Sequence, residues 1–165
     1  MHIRPATVDD LPAITELFNA LIATTTIGWR DQPADHDEML AWFTLQTHDG
    51  NPVLVADDPD VVGYACWSSF RGGARFPGYR HTVEHTIHVA GDRHGQGIGR
   101  ALLDALIEIA RRRGVHVMVA GIDTDNTASI GFHQVLGFTE VARMPEVGRK
   151  FDRWLNLVLM QRILT

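Results

Sequence analysis

The chain has 165 residues, 45% of them hydrophobic and 21% charged, with a net charge of −5; this fits one globular domain, residues 1–165. It lacks the clustered positive charge of a general nucleic-acid or membrane surface, and its one basic run, Arg111–Arg113, reads as a solvated helix end where cations suit the dipole. The single cysteine, Cys66, excludes an internal disulfide, and no apolar run is long enough for a signal peptide core or a bilayer span, so a cytoplasmic protein is expected.

"HIRPA" at the start reads as a short strand, and Thr7 with Asp10 offers a helix cap. Leu11, Ile14, Leu17, Phe18, Leu21 and Ile22 follow at helical spacing. "TTTIGWR" breaks this helix. A second one starts at the Asp35–Glu38 pair and carries Met39, Trp42 and Phe43 on one face. Residues 52–70 form a hairpin around the turn cluster Asp57–Asp60, with Cys66 as a buried strand thiol. A Gly-, Pro- and Arg-rich loop, "RGGARFPGYR", precedes the strand "HTVEHTIHV". A helix with Ile98, Leu102, Leu106 and Ile109 on one stripe ends at Gly114. "VHVMVAGI" is a strand continuous enough to be central, "NTASIGFHQVLGF" a short helix ended by Gly137, and the tail two further strands. The order βααβββαβαββ implies a mixed sheet with helices on its faces.

Three glycines in five positions, Gly95, Gly97 and Gly99, stand before the third helix in "DRHGQGIGRALLDAL". The dinucleotide fingerprint fails: its third glycine falls on Arg100 or Leu102, depending on the start. A P-loop fails as well, because the only lysine, Lys150, is far away. What remains is a strand, a glycine loop and a helix N-terminus, whose free N–H groups and dipole favour an anion such as a pyrophosphate, with Arg100 and Arg93 nearby. A plain tight turn reads equally well from these residues alone.

"HGQGIGRALL" resembles the acetyl-CoA pyrophosphate loop of the GNAT superfamily of N-acetyltransferases, with His94 where that motif has Gln or Arg. "NTASIGFHQVLGF" is similar to its second signature, and the element order matches its fold: an α/β (α+β) arrangement, a single mixed, mostly antiparallel sheet flanked by helices on both faces. "TVEHTIHV", "HVMVAGI", "SIGFHQVLGF" and "VGRKFDRW" together resemble the branch that acetylates phosphinothricin, methionine sulfoximine and methionine sulfone. That likeness runs from "IRPAT" to "MQRIL".

The chemistry gives these residues their expected roles. An amino-acid amine is mostly ammonium at neutral pH, so a proton acceptor is required. Glu84 is the candidate base. On an alternating strand it shares a face with Thr82, Thr86 and His88, opposite Val83, His85, Ile87 and Val89. The resemblance places a glutamate here as base, directly or through water. His133 matches a family position at which a tyrosine or histidine protonates the leaving thiolate; a histidine titrating near neutrality suits either direction, so the order of acid and base stays open. The resemblance further implies that the strand at Ile87, His88 and Val89 splays from its neighbour and pairs with the pantetheine arm, with the Val89 N–H facing the thioester carbonyl. It implies that His94, Gly95, Gln96, Gly97, Ile98, Gly99 and Arg100 hold the pyrophosphate, and that Asn126, otherwise an ordinary helix cap, contacts the CoA arm. Substrate contacts are expected at Arg75, Phe76 and Pro77 and at Glu84, His85 and Thr86, with Arg80 as a further grip on the carboxylate and Trp29 as a pocket wall. His81, His85 and His88 share one strand but lack the partners of a zinc site, so no metal is expected.

The expected activity is direct attack of a small amino acid's α-amine on acetyl-CoA in a ternary complex, in a homodimer whose interface borders the site near "VGRKFDRWLN". Two alternatives are an acetyltransferase for a protein N-terminus, polyamine or aminoglycoside, and a non-catalytic CoA-binding module. The arginines of "RGGARFPGYR" speak against polycationic substrates, and the presence of Glu84 and His133 speaks against a module without catalysis.

Overall fold

A computed structural model describes residues 1–72 and 75–164. Seven strands form one sheet in the order β1-β2-β3-β4-β5-β7-β6: β1 (His2–Pro5), β2 (Val53–Asp57), β3 (Val61–Ser69), β4 (Thr82–Val89), β5 (Val117–Asp123), β6 (Thr139–Lys150) and β7 (Arg153–Ile163). Helices α1 (Leu11–Thr24), α2 (His36–His48), α3 (Ile98–Arg112) and α4 (Thr127–Val135) interleave with them in the expected order. Every strand pairing is antiparallel except β4–β5.

The caps act as their residue types dictate. The Thr7 N–H donates to the Asp10 carboxylate at 2.7 Å, and Arg4 grips the same carboxylate through two bonds of 2.8 Å. Asp35 accepts from the Glu38 N–H at 2.9 Å. Gly114 and Gly137 end α3 and α4 with left-handed backbone.

The two faces of the sheet bury different side chains. Leu102, Leu103, Leu106, Ile107 and Ala110 of α3 share one core with Ala65, Trp67, Val83, Met118, Val158 and Met160 on one face. Leu11 and Ile14 of α1 and Met39 and Phe43 of α2 pack on Val53, Val55, Tyr64 and Cys66 of the other face. Cys66 is buried, and burial pushes its thiol up to about 12, so it is chemically inert packing.

One junction in the sheet is incomplete. The parallel β4–β5 ladder holds only Thr82–Val117, Val83–Met118 and Glu84–Val119. Past Glu84, β4 stays on β3 as far as Val89 and β5 stays on β7 as far as Asp123, while the two strands part from each other. The site is built in this gap.

Candidate active site

The cleft between the parted strands has a volume of about 330 Å³. Its floor is β4 from Glu84 to His88 and β5 from Ala120 to Asp123; α4 gives Ser129 and His133, and the loop after α1 gives Thr26 to Trp29.

Strand geometry explains why this gap can take a ligand. The Ala90 N–H donates to Val62, and the Thr82 carbonyl accepts from Phe70. Even-numbered residues of β4 therefore turn their backbone groups to β3, and the odd-numbered ones turn theirs toward β5. Beyond the last ladder pair, Ile87 and Val89 point their N–H groups into the gap. The Val89 carbonyl accepts from His94 Nε2 at 3.0 Å, which ties the strand end to the glycine loop. A backbone edge in need of partners, inside a sheet, suits an extended amide-bearing arm such as pantetheine.

The glycine loop continues from there. Gly97 is the residue before α3 and has φ 81°, a left-handed conformation that favours glycine. Apart from the chain neighbours, no atom of the described residues lies within 4 Å of the place where a Cβ on Gly95 or Gly97 would stand. The first intrahelical bond is Ala101 N–H to the Gly97 carbonyl, so Ile98, Gly99 and Arg100 keep N–H groups without a helical partner. The Ile98 side chain is buried in the core, so only its backbone is available. Gln96 leans back to the Asp92 carbonyl at 3.4 Å, and Arg100 is exposed beside Asp104.

Glu84 is half-buried where the strands part, and burial raises its carboxyl above the ordinary 4.5. Its Oε1 would lie 3.0 Å from a Cβ on Gly121, so the absence of a side chain at Gly121 is what lets the carboxylate lie across the seam. Thr86 is on the same face, as alternation requires. His88 is there too, packed edge-on against Tyr64 at 5.2 Å, and burial lowers it to about 4, a neutral ring.

His133 meets the cleft from α4 and is held at both nitrogens, by the Ser129 carbonyl at 2.7 Å and by His85 Nε2 at 3.2 Å. Burial lowers it below its ordinary value. The His85 side chain faces the α3–α4 side, against His133 and Phe138. Any contact between His85 and a substrate on the Glu84 face is therefore left to its backbone. The Asn126 oxygen caps α4 by accepting from the Ser129 N–H at 3.1 Å, and the residue also lines the cleft; cap and contact are compatible.

Of the expected substrate residues, the structure gathers Trp29, Glu84, His85 and Thr86 around the cleft. It does not bring Arg75, Phe76, Pro77 or Arg80 there. These sit in an exposed loop, with the Arg75 guanidinium over the Phe76 ring and Arg80 donating to the Pro77 carbonyl at 3.0 Å.

Three contributors escape sequence reasoning. Gly121 makes room for Glu84. Asp123 is 6% exposed, lines the cleft and has one carboxylate oxygen with no partner among the described residues; its other oxygen closes a turn on the Asp125 N–H, and the Asx-turn pattern of "IDTDN" could have signalled that much. Lys150 is 2% exposed. It donates to the carbonyls of Ile22, Thr25 and Gly28 at 2.7, 2.8 and 3.2 Å, so the last residue of β6 holds the loop that carries Trp29. Nearby, the Trp29 ring lies flat on Gly148, where any Cβ would collide with it.

Among the described residues no group of three or more His, Cys, Asp or Glu side chains is placed to hold a metal, and no helix is long and apolar enough to cross a membrane.

Comparison with known proteins agrees with this architecture. Residues 14–138 match the acetyltransferase (GNAT) family. The chain is 49% identical over 162 residues to the L-amino acid N-acyltransferase MnaT of Escherichia coli, covering 98% of this chain and 92% of that protein. It is 47% identical to an L-methionine sulfoximine/L-methionine sulfone acetyltransferase of Pseudomonas paraeruginosa, covering 96% and 92%. A Salmonella typhimurium acetyltransferase solved with its cofactor acetyl-CoA superimposes with a TM-score of 0.94 at 47% identity, over all of this chain and 94% of that one. A sheet parted between β4 and β5, a glycine loop leading into α3 and these relatives lead to one conclusion: the chain belongs to the GNAT family of acetyltransferases.

Proposed function

We propose that this protein transfers an acetyl group from acetyl-CoA to the α-amine of a small amino acid of the methionine sulfone, methionine sulfoximine and phosphinothricin type, by direct attack in a ternary complex. The observation that carries this reading is the placement of Glu84. A carboxylate half-withdrawn from water lies across the seam where β4 and β5 part, beside the backbone edge expected to take the pantetheine arm.

Bound there, acetyl-CoA supplies an activated acyl group as a thioester. The chain's own groups do the rest. The N–H groups of Ile98, Gly99 and Arg100 face the pyrophosphate through a loop opened by Gly95 and Gly97. Ile87 and Val89 extend their N–H groups along the arm, and Val89 faces the thioester carbonyl, where donors fixed in advance stabilise developing charge. Asn126 contacts the arm. Glu84 takes the proton that the α-ammonium must lose before its nitrogen can attack; a positioned base of this kind contributes roughly 10²–10⁴ in rate. The C–N bond forms as the C–S bond breaks, and the nitrogen's second proton passes to the expelled CoA thiolate, which leaves as the thiol. His133 lines the cleft from α4. Trp29 and Thr86 bound the amino acid, and Arg75 and Arg80 grip its carboxylate once their loop closes on the cleft.

The protein acts as a homodimer in this reading. Met144, Val147, Phe151 and Trp154 stand exposed on β6, β7 and their connecting turn, a run of apolar side chains of the kind that marks an interface. It adjoins the cleft through Lys150.

The test is thiol release. The protein is mixed with acetyl-CoA and, in turn, methionine sulfone, methionine sulfoximine, phosphinothricin, a peptide, spermidine and an aminoglycoside. Turnover confined to the first three, and lost in Glu84→Gln, supports the proposal. Turnover confined to the last three moves the substrate class. CoA binding with silence on all six favours a binding module.

A further inference from the structure

His85 and His133 come from different elements, β4 and α4, and meet inside the protein with Nε2 facing Nε2 at 3.2 Å and ring centroids 5.1 Å apart. Hydrogen positions follow from the partners. The His133 Nδ1 lies 2.7 Å from the Ser129 carbonyl oxygen and 3.4 Å from the Ser129 hydroxyl; the nearer partner only accepts, so Nδ1 carries a hydrogen. A neutral imidazole has one N–H. The His133 Nε2 therefore holds a lone pair, and the single proton between the facing nitrogens belongs to His85. The His85 Nδ1 is then a lone pair as well, and it is buried without a partner among the described residues. The chain of bonds runs from His85 through His133 to the Ser129 carbonyl and has no exit beyond His85.

We infer that His85 is a positioning residue that locks His133 as the neutral Nδ1–H tautomer, so that His133 serves acetyl transfer as a fixed neutral group and Glu84 alone moves the proton. This rests on the cleft being the acetyltransferase site proposed above. A cationic His133 would direct an Nε2–H at His85 and drive the His85 proton to Nδ1, leaving a buried N–H with no acceptor. Burial also opposes charge on both rings and holds His85 at about 3. The other titratable groups on this cleft are Glu84 and His88 of β4 and Asp123 of β5. His88 is on the opposite face of β4 from His85, and no hydrogen bond joins the two carboxylates to the histidine pair. Phe132 and Phe138 complete the surroundings of His133 with edge-on aromatic contacts at 5.1 and 5.2 Å.

The tautomers can be read directly. In protein carrying ¹⁵N-histidine, long-range ¹H–¹⁵N correlation spectra between about pH 5.5 and 8 should show His133 protonated only at Nδ1 and His85 only at Nε2, assigned by comparing His85→Gln and His133→Asn. An imidazolium His133 in that range, or His133 protonated at Nε2, overturns the inference. Kinetics add a second reading. His85→Phe removes the donor and frees the His133 Nε2, so kcat falls about tenfold, a new ionisation near neutrality enters the kcat–pH profile, and the KM for acetyl-CoA stays unchanged. His85→Gln, whose amide N–H can still donate to Nε2, restores the original profile. A kcat loss in His85→Phe with an unaltered profile and an unaltered His133 tautomer assigns His85 to packing and refutes the inference. If no amine is acetylated at all, the functional proposal fails, and the spectra still decide the pair.

Discussion

Replacing Lys150 by methionine keeps the apolar stem and removes the ammonium. The ammonium makes three charge-assisted bonds, at 2.7 Å to Ile22, 2.8 Å to Thr25 and 3.2 Å to Gly28. A hydrogen bond with a charged partner contributes about 1.5–3 kcal/mol net, and a buried acceptor left unmatched costs about 1–3 kcal/mol. The bond to Ile22 is fully buried and those to Thr25 and Gly28 are partly so. One acceptor thus loses its partner outright, and two can turn to water. Part of the loss is offset because the desolvation that lowers the Lys150 pKa disappears with the charge. The sum is about 3 kcal/mol, or a Tm lower by roughly 6–12 °C in a chain of this size. The released carbonyls belong to the last turn of α1 (Ile22) and to the loop after it (Thr25, Gly28), which carries Ile27, Gly28 and Trp29 into the cleft. The KM for the amino acid should therefore rise severalfold in Lys150→Met while the KM for acetyl-CoA, held on the far side by the glycine loop, does not move. Thermal unfolding and steady-state kinetics on both substrates measure this. A destabilisation under about 1 kcal/mol together with an unchanged amino-acid KM would refute the argument, since the loop would then hold its place without the clamp.

Gly121→Ala puts a methyl group 3.0 Å from Glu84 Oε1, so the carboxylate must shift; kcat should drop about tenfold with both KM values retained, and equal loss in KM would argue for general disruption. Arg75→Ala should raise the KM for the amino acid about tenfold, the order expected for an exposed bidentate grip, with no effect on acetyl-CoA; an unchanged value removes Arg75 from the substrate site. Stability should fall early on acidification. His85 and His88 are held at about 3 and 4, and His133 is also lowered, against an ordinary 6.5. The unfolded chain takes up protons below 6.5 that the folded chain refuses, so this contribution is whole above pH 6.5 and is lost as pH falls toward 4. Denaturant titrations at pH 7, 5 and 4 read the effect; a midpoint that is flat from 7 to 5 contradicts it.

The fold was legible in the sequence because its signals are local. Caps such as Asp35–Glu38, helical stripes such as Leu102 and Leu106, and alternating strands each lie within a few residues. Alternation could put Glu84 on one face of β4, but its reading as a base comes from the resemblance of "TVEHTIHV" to a known family and not from any local pattern. Lys150 could not be found in either way. Its three acceptors are more than 120 residues away along the chain, and an isolated lysine in a strand reads as surface. Gly148 and Gly121 matter for what stands opposite them, Trp29 and Glu84, which no pattern within their own strands reveals. The β6–β7 turn could be read as a hairpin from the apolar strands on either side of "VGRKFDRWLN", but not from its own turn residues. Phe151 and Asp152 both adopt left-handed backbone, where Asn-Gly would be the usual signal. The loop arginines are named from the resemblance and from the chemistry of a carboxylate; in the structure their neighbours are Phe76 and Pro77.

The short β4–β5 ladder has a mechanical side. Three register pairs are all that join the β1–β4 half of the sheet directly to the β5–β7 half, so the sheet has a seam as well as an edge. A molecule lying along that seam, bonded to Ile87 and Val89 on one bank and touching α4 on the other, acts as a suture between the two halves. The protein's stiffness should then depend on its cosubstrate: amides flanking the seam exchange quickly with solvent in the free protein and slow together once the seam is stitched, while those of α3, packed mainly on the β1–β4 half, hardly change.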